Sequence, residues 1–308
     1  MFIDFEKWHG TKNDFIVCWI LAPDKDLIAP TLSRLAPRLC QRDGSGIGAD
    51  GILLLITKSK KDSYPDELII INADGSAAKN CGNGLRCAAM SARRRAHQEG
   101  LYDFDGITLK VQDTSIDCRF IGASAQPLVA VTMPIPNFGQ VNEWSNEVQS
   151  LTKQLQTAHP QLRGDLETVD LGNPHIVITV EDATAELAEL AGRPLQVVRN
   201  RDGINVHVAS PKSIAETDQQ RARLEIGEEI SELFKVYPWE RGVGPTQACG
   251  TGACAVGVAA WATGLTERSM WVGIDMPGGR LYVKQDEPTS PVTLAGPATF
   301  VFQGNVEI

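Results

Sequence analysis

Cys81-Gly82-Asn83-Gly84-Leu85-Arg86-Cys87-Ala88-Ala89 and Cys249-Gly250-Thr251-Gly252-Ala253-Cys254-Ala255-Val256-Gly257 are two nearly matching stretches of this chain. Each begins with Cys-Gly-X-Gly and runs on into small apolar residues. Leu85, Ala88, Ala89 and Ala92 follow the first cysteine at the i, i+3, i+4, i+7 spacing of a buried or amphipathic helix. Ala253, Val256, Gly257 and Ala260 follow the second at the same offset. Each cysteine is therefore expected to open a helix through a glycine-rich turn. A helix N-terminus binds anions through free N–H groups and lowers a thiol pKa. A chain carrying this device twice can hold two thiols about one bound carboxylate.

Apolar runs bounded by turn residues predict strands at 15–20, 51–56, 68–71 and 128–133. In the second half they do so at 176–180, 204–208, 281–283 and 299–302. Helical patterns are fewer, at about 31–41, 83–97, 144–158, 184–190 and 250–263. Many strands with a few irregularly placed helices indicate an α+β fold. The proline-punctuated stretch Met133-Pro134-Ile135-Pro136-Asn137-Phe138-Gly139 is the expected crossover between two halves. Each half then holds one strand-rich region and one cysteine-headed helix, a weak internal duplication. Residues 212–230 are polar and charged and are expected to be a solvated excursion with some helix.

The chain has 308 residues, 43% hydrophobic and 22% charged, with a net charge of −9. The acidic balance argues against nonspecific nucleic-acid or membrane-surface binding. No apolar run approaches the ~20 residues of a membrane span, and no signal peptide is indicated at the N-terminus. The seven cysteines are dispersed without a Cys-X-X-Cys pair, so neither a structural zinc site nor a disulfide framework is expected. Reduced thiols in a cytoplasmic setting follow. Arg93-Arg94-Arg95 reads as a solvated helix C-terminus, where cations are favoured.

Two thiols can invert a carbon centre: one, as thiolate, removes a proton, and the other, as thiol, returns one to the opposite face. The carbanion between these steps needs preorganised donors, here the N–H groups of Gly82, Asn83, Gly250 and Thr251. Cys18, Cys40, Cys87, Cys118 and Cys254 are expected to be small buried hydrophobes. Asn72-Ala73-Asp74-Gly75-Ser76 precedes Cys81, and Trp239-Glu240-Arg241-Gly242 precedes Cys249. On its own the first is a turn signal and the second a surface ion pair, although an arginine there can take a carboxylate bidentately. Likewise His9 to Phe15 and Gly172-Asn173-Pro174-His175 read as strand-edge loops.

Taken in order, these motifs resemble the diaminopimelate epimerase family. Asn72 to Ser76 with Asn80 to Cys87 is similar to its first active-site motif, and Glu240-Arg241-Gly242 with Gln247 to Ala253 to its second. His9-Gly10, Asn13-Asp14-Phe15, Gly46 to Gly51, Gly172 to His175, Asn205, Met276 to Gly279 and Gly296-Pro297-Ala298 match as well. The resemblance implies two pseudo-symmetric domains, each a mixed sheet wrapped around a central helix, with the active site in the interdomain cleft. The expected domains are 1–132 with 297–308, and 133–296. It implies interconversion of LL- and meso-2,6-diaminopimelate without pyridoxal phosphate or metal, with Cys81 and Cys249 as the acid/base pair. Asn13, Asn72, Asn173, Asn205 and Arg241 would hold the distal amino acid end, while Glu240 and His175 would tune the thiols. A small-molecule substrate is the implied partner, and a homodimer is left open. Three departures stand out: Pro245 where members commonly carry Glu, Thr11-Lys12 where many have smaller residues ending in Gly, and the longer 212–230 segment. A histidine or proline-type racemase, and a redox sensor that pairs Cys81 with Cys249, are the competing readings. Arg241 and the asparagines weigh against an apolar proline-type pocket.

Overall fold

The computed structural model describes residues 1–59, 62–78, 81–123, 126–138, 145–197 and 203–308. In chain order the elements are β1 (Phe2–Gly10), β2 (Asn13–Leu21), α1 (Lys25–Leu39), β3 (Gly51–Thr57), β4 (Glu67–Asn72), β5 (Ala77–Ala78) and α2 (Gly82–Gln98). Next come β6 (Gly106–Val111), β7 (Thr114–Ile121), β8 (Leu128–Thr132), β9 (Asn137–Phe138), α3 (Ser145–Ala158), β10 (Asp165–Asp170), β11 (Pro174–Thr179) and α4 (Ala185–Leu195). The remainder is β12 (Asn205–Pro211), α5 (Glu216–Glu225), β13 (Ile230–Glu240), β14 (Gly244–Pro245), α6 (Gly250–Ala262), β15 (Trp271–Met276), β16 (Gly279–Lys284), β17 (Thr293–Gly296) and β18 (Thr299–Glu307). The chain divides into two compact units. One comprises Met1–Ile121, Ala125–Val131 and Gly296–Ile308, the other Gly122–Ser124 and Thr132–Ala295.

The first unit carries a mixed sheet in the order β18-β1-β2-β3-β4-β5, in which only β2 and β3 run parallel. An antiparallel meander, β6-β7-β8, belongs to the same unit. Every residue of β3 is buried, which is why it reads as an unbroken apolar run rather than an alternation. Ile52 and Leu54 face α1, packing with Ile28, Leu32, Ala36 and Leu39. Leu53 faces the other way and approaches Gly84 at the start of α2. Helix α2 is buried along most of its length and touches β1, β2, β3, β6, β7 and β18.

The second unit repeats the plan. Its mixed sheet runs β9-β10-β11-β12-β13-β15-β16-β17, with β14 paired to β13. Hairpin β10–β11 corresponds to β1–β2, and the parallel pair β11–β12, crossed over by α4, to β2–β3 crossed over by α1. Antiparallel β13 and short β14 correspond to β4 and β5, and a cysteine-headed helix follows in each case. Apart from Thr251, α6 is buried from Gly250 through Trp261, and it lies against β9, β10, β11, β12 and β16. Its lack of a polar face fits a helix surrounded by sheet.

On the other face of that sheet, α4 packs Leu187, Ala188, Ala191 and Leu195 against Ile176, Ile178, Val206, Val208 and Trp239. Gly192 lies so close that a Cβ there would overlap Cγ and Cβ of Trp239, a side chain only 6% exposed. Gly192→Ala is therefore expected to destabilise the protein by about 1–3 kcal/mol, the usual cost of overpacking. A urea titration would show it as a lowered midpoint at unchanged slope, whereas an unchanged midpoint would contradict this packing.

Several expectations need correcting. Helix α1 begins at Lys25, ahead of the expected 31, and carries Pro30 and Pro37 within it. The 212–230 segment is not merely solvated, because α5 is docked through polar partners. Asp218 pairs with the buried guanidinium of Arg280 at 2.8 Å, Tyr282 Oη donates to Glu225 at 2.7 Å, and Gln219 bonds both backbone groups of Ile230. Nor are the three arginines simply solvated: Arg94 lies over Phe300, Arg95 over Trp19 and Arg93 over Phe120. Gly139 of the crossover, residue 144 and Asn80 lie outside the described residues.

Candidate functional site

Both cysteines are helix N-caps. Cys81 has extended backbone (φ −155°, ψ 98°), and its Sγ accepts from Gly84 N at 3.4 Å. Cys249 (φ −128°, ψ 113°) accepts from Gly252 N at 3.3 Å. In each case the sulfur takes an otherwise orphaned donor of the first helical turn, as a serine or aspartate cap does. The N–H groups of Gly82, Asn83, Gly250 and Thr251 come earlier in that turn and have no intrahelical acceptor.

Around Cys81, Asn83 Nδ2 donates to Asn13 Oδ1 at 3.1 Å, and Asn13 Nδ2 donates to Asp50 Oδ2 at 2.6 Å. Asp50 also accepts from the Asp14 N–H and from Arg42. Burial works against ionised Asp14, but Arg42 and Lys7 outweigh it and hold the carboxyl below its ordinary range. Asn72 ends β4 opposite Gly51, with Nδ2 donating to Ser76 Oγ at 2.9 Å. Thr11 and Lys12 form the two-residue β1–β2 turn with positive φ of 51° and 67°. Glycine and asparagine serve such a turn better, so these two residues carry local strain.

Arg86 lies within the first cysteine motif. It is fully buried in α2 and donates to Gly82 O (3.4 Å), Asn83 Oδ1 (2.8 Å), Thr11 Oγ1 (3.3 Å) and Pro297 O (3.3 Å). It thereby ties the first turn of α2 to the β1–β2 turn and to the strand return before β18.

Around Cys249, Asn173 Nδ2 donates to Thr251 Oγ1 at 3.3 Å, and Thr251 Oγ1 lies 3.6 Å from Cys249 Sγ. Asn173 Oδ1 sits 3.1 Å from His175 Nε2, and His175 Nδ1 sits 2.9 Å from His207 Nε2. Arg241 N donates to Asn205 Oδ1 at 3.1 Å, and Arg241 Nη1 reaches Gly203 O. Within this unit the structure therefore gathers Asn173, His175, Thr251 and Cys249 into one network and joins Asn205 to Arg241. His207 belongs to the network and was not singled out in the sequence. Pro245 lies in β14 opposite Trp239.

Burial pushes the Cys249 thiol well above its ordinary value. The nearby Glu240 carboxylate adds to this, while Thr251 and the Gly252 N–H oppose it. Burial, helped by His207 and Arg241, holds His175 well below the usual imidazole range. Burial takes His207 down to about 3, so both rings are neutral at physiological pH. Cys18 and Cys118 are pushed up to about 12 and Cys40 to about 11, in each case chiefly by burial, and Cys87 is raised for the same reason. None of the seven cysteines is in a disulfide, and Cys81 alone is not buried. Iodoacetamide at about pH 8, where only a thiolate reacts, is thus expected to label Cys81 first in the native protein. Peptide mass spectrometry would read this out, and labelling of Cys18 or Cys118 at the same rate would contradict it.

No helix among the described residues is long and apolar enough to cross a membrane. The chain matches the family described as diaminopimelate epimerase over residues 5–114 and 167–301. It is 30% identical to the diaminopimelate epimerase of Pseudomonas syringae pv. tomato over 311 residues, with all of both chains covered. It is 32% identical to that of Pseudomonas entomophila over 322 residues, again covering all of both. A Bacillus anthracis phenazine biosynthesis protein of the PhzF family superposes with a TM-score of 0.70 at 13% identity, covering both chains fully, a likeness of fold alone. Two helices capped by cysteine, on sheets of matching topology, sit at the positions where this sequence match runs, and the chain belongs to the diaminopimelate epimerase family, whose members are isomerases.

Proposed function

We propose that the chain interconverts LL- and meso-2,6-diaminopimelate by moving an α-proton between Cys81 and Cys249, without an organic or metal cofactor. The observation that carries this reading is the duplicated N-cap: two thiols, each bonded by an N–H of the helix it opens. In the first step a thiolate takes the α-proton, and the C–H electron pair passes to the carbon and its carboxylate. In the second, the other thiol gives its proton to the opposite face. The thiol and thiolate have then exchanged roles. Cys249 enters as thiol, since burial and Glu240 keep its proton on.

The N–H groups of Gly82, Asn83, Gly250 and Thr251 hold the reacting carboxylate, where charge develops. Asn13, Asn72, Asn173, Asn205 and Arg241 hold the distal zwitterion, whose two charged groups demand polar partners. Glu240 and His175 set the Cys249 end, the one by its charge beside the thiol and the other by fixing Asn173. A product of this kind serves lysine and peptidoglycan synthesis in the cytoplasm.

The test is turnover of LL-diaminopimelate by reduced protein in chelator-treated buffer, with the isomers separated by chromatography. Accumulation of the meso isomer toward an equilibrium mixture supports the reading. Racemisation of histidine or proline with none of diaminopimelate would keep the chemistry and replace the substrate.

A further inference from the structure

We propose that His207 is a positioning residue for Cys249, heading a one-way chain of hydrogen bonds through His175, Asn173 and Thr251 that delivers a hydroxyl proton to the Cys249 sulfur. The chain stands on geometry; its bearing on turnover rests on the reading of Cys249 as a reacting thiol.

Each link has one direction. Asn173 Nδ2 donates to Thr251 Oγ1 at 3.3 Å, so Asn173 presents its Oδ1 to His175 Nε2 at 3.1 Å. His175 then carries its proton on Nε2 and accepts at Nδ1. His207 Nε2, 2.9 Å from that atom, is the donor. The remaining ring atom, His207 Nδ1, is buried without a hydrogen-bond partner. A bare lone pair is tolerable there, whereas a buried N–H with nothing to accept it is rare in native cores. The orphaned atom therefore fixes the tautomer at the head of the chain. Both rings are neutral, because burial holds each below the usual imidazole range. At the far end, the Thr251 hydroxyl accepts from Asn173 and keeps its single proton for Cys249 Sγ, 3.6 Å away. A thiolate can only accept, so the hydroxyl is the donor whenever Cys249 is ionised.

The other half of the fold shows what this arrangement replaces. Phe15 stands opposite Gly51 in the β2–β3 pair as His175 stands opposite Asn205 in β11–β12. Two residues further along, Leu53 lies against Gly84 and His207 against Gly252, each glycine being the third residue after its cysteine. The half with Cys81 thus has two apolar side chains where the half with Cys249 has two imidazoles. Burial gives the difference a reason. Cys81 is partly exposed, while Cys249 is buried beside the Glu240 carboxylate, and both conditions oppose its ionisation. Yet Cys249 is left a thiolate each time it gives its proton to the substrate, so that sulfur needs fixed donors. The Gly252 N–H is one, and the Thr251 hydroxyl, held by the chain, is a second. The titratable and charged groups around this sulfur are Glu240 of β13, His175 of β11 and His207 of β12, with Arg241 acting on His175.

The test uses reduced full-length protein and two readouts. One is alkylation of the Cys249 peptide by iodoacetamide from about pH 8 to 11, which tracks the thiolate. The other is turnover of LL-diaminopimelate. His207→Leu, the residue of the other half, should displace the labelling curve to higher pH and slow turnover roughly three- to tenfold, since the final bond to an ionised sulfur is weakened rather than removed. Thr251→Val keeps the backbone N–H, removes that bond and should slow turnover about tenfold or more. In the Thr251→Val background His207→Leu should cost nothing further, because both act through one hydroxyl. His207→Gln, whose terminal N–H group reaches about as far as the imidazole Nε2, should recover most of the wild-type curve. His175→Phe cuts the chain one link later and should repeat the displacement, so the conclusion does not depend on one variant folding. A wild-type labelling curve in both His207→Leu and His175→Phe would overturn the chain, whatever the turnover. Losses that multiply in the double variant would overturn it too, being the mark of a histidine that merely packs. Displaced labelling in a protein that never turns over diaminopimelate would sink the epimerase reading and leave the chain standing.

Discussion

Cys81→Ala and Cys249→Ala are each expected to reduce epimerisation at least about 1,000-fold, within the ~10²–10⁴ range that a positioned proton carrier contributes. Each thiol serves one face of the carbon, so the partner that remains cannot complete an inversion. The two losses should therefore not add, and the double variant should be scarcely slower than either single one. Cys87→Ala and Cys254→Ala provide the contrast. Both residues lie inside α2 and α6, are fully buried, and are away from the N-terminal N–H groups. Their loss should leave turnover largely intact. Initial rates of meso product formation by the four variants would check the set, and near-normal activity in either Cys81→Ala or Cys249→Ala would contradict the mechanism.

Arg86→Met is expected to cost about 3 kcal/mol or more of stability and most of the activity. The substitution keeps length and apolar bulk but removes every donor. Four acceptors then lose a charged partner: Gly82 O, Asn83 Oδ1, Thr11 Oγ1 and Pro297 O. Hydrogen bonds to charged groups contribute roughly 1.5–3 kcal/mol each, and a buried acceptor left bare carries its own penalty. The functional loss follows from position, since Gly82 and Asn83 begin the turn capped by Cys81 and Asn83 also holds Asn13. Urea unfolding measures the first effect. For the second, KM should rise together with a fall in kcat, because a loosened carboxylate cradle weakens both binding and the charge-developing step. Wild-type stability in this variant would mean that the four acceptors find other partners.

The cysteine-headed helices were legible because their signal is local: a cap, a pair of glycines and an apolar stripe within one stretch of chain. Strands β3 and β4 were legible for a similar reason, being apolar runs between turns. Among the strands that escaped, β1, β6, β7 and β10 carry polar residues at exposed positions and lack an unbroken apolar run, and β13, β15 and β17 escaped as well. Helix α5 was half visible. Its partners on the sheet, Arg280 and Tyr282, are themselves polar, so no hydrophobic periodicity marks the docked face. The duplication was visible only at the two cysteines. Its full extent is a matter of strand order, which neither periodicity nor composition encodes. Of the candidate residues, those in motifs were found in sequence. Arg86 and His207 were not, because their importance arises from burial beside groups distant in the chain.

Two different groups serve the two faces of one carbon in this mechanism. Reduced, metal-free enzyme would be mixed with protio LL-diaminopimelate in deuterium oxide and stopped at low conversion, and each isomer's α-deuterium content measured by mass spectrometry. The expected meso product carries one α-deuteron, delivered by the second thiol after exchange with solvent, while the recovered LL-isomer remains almost wholly protio. Deuterium entering the recovered LL-isomer as fast as it enters the product would mean that a single group removes and returns the proton, and the two-thiol account would be wrong.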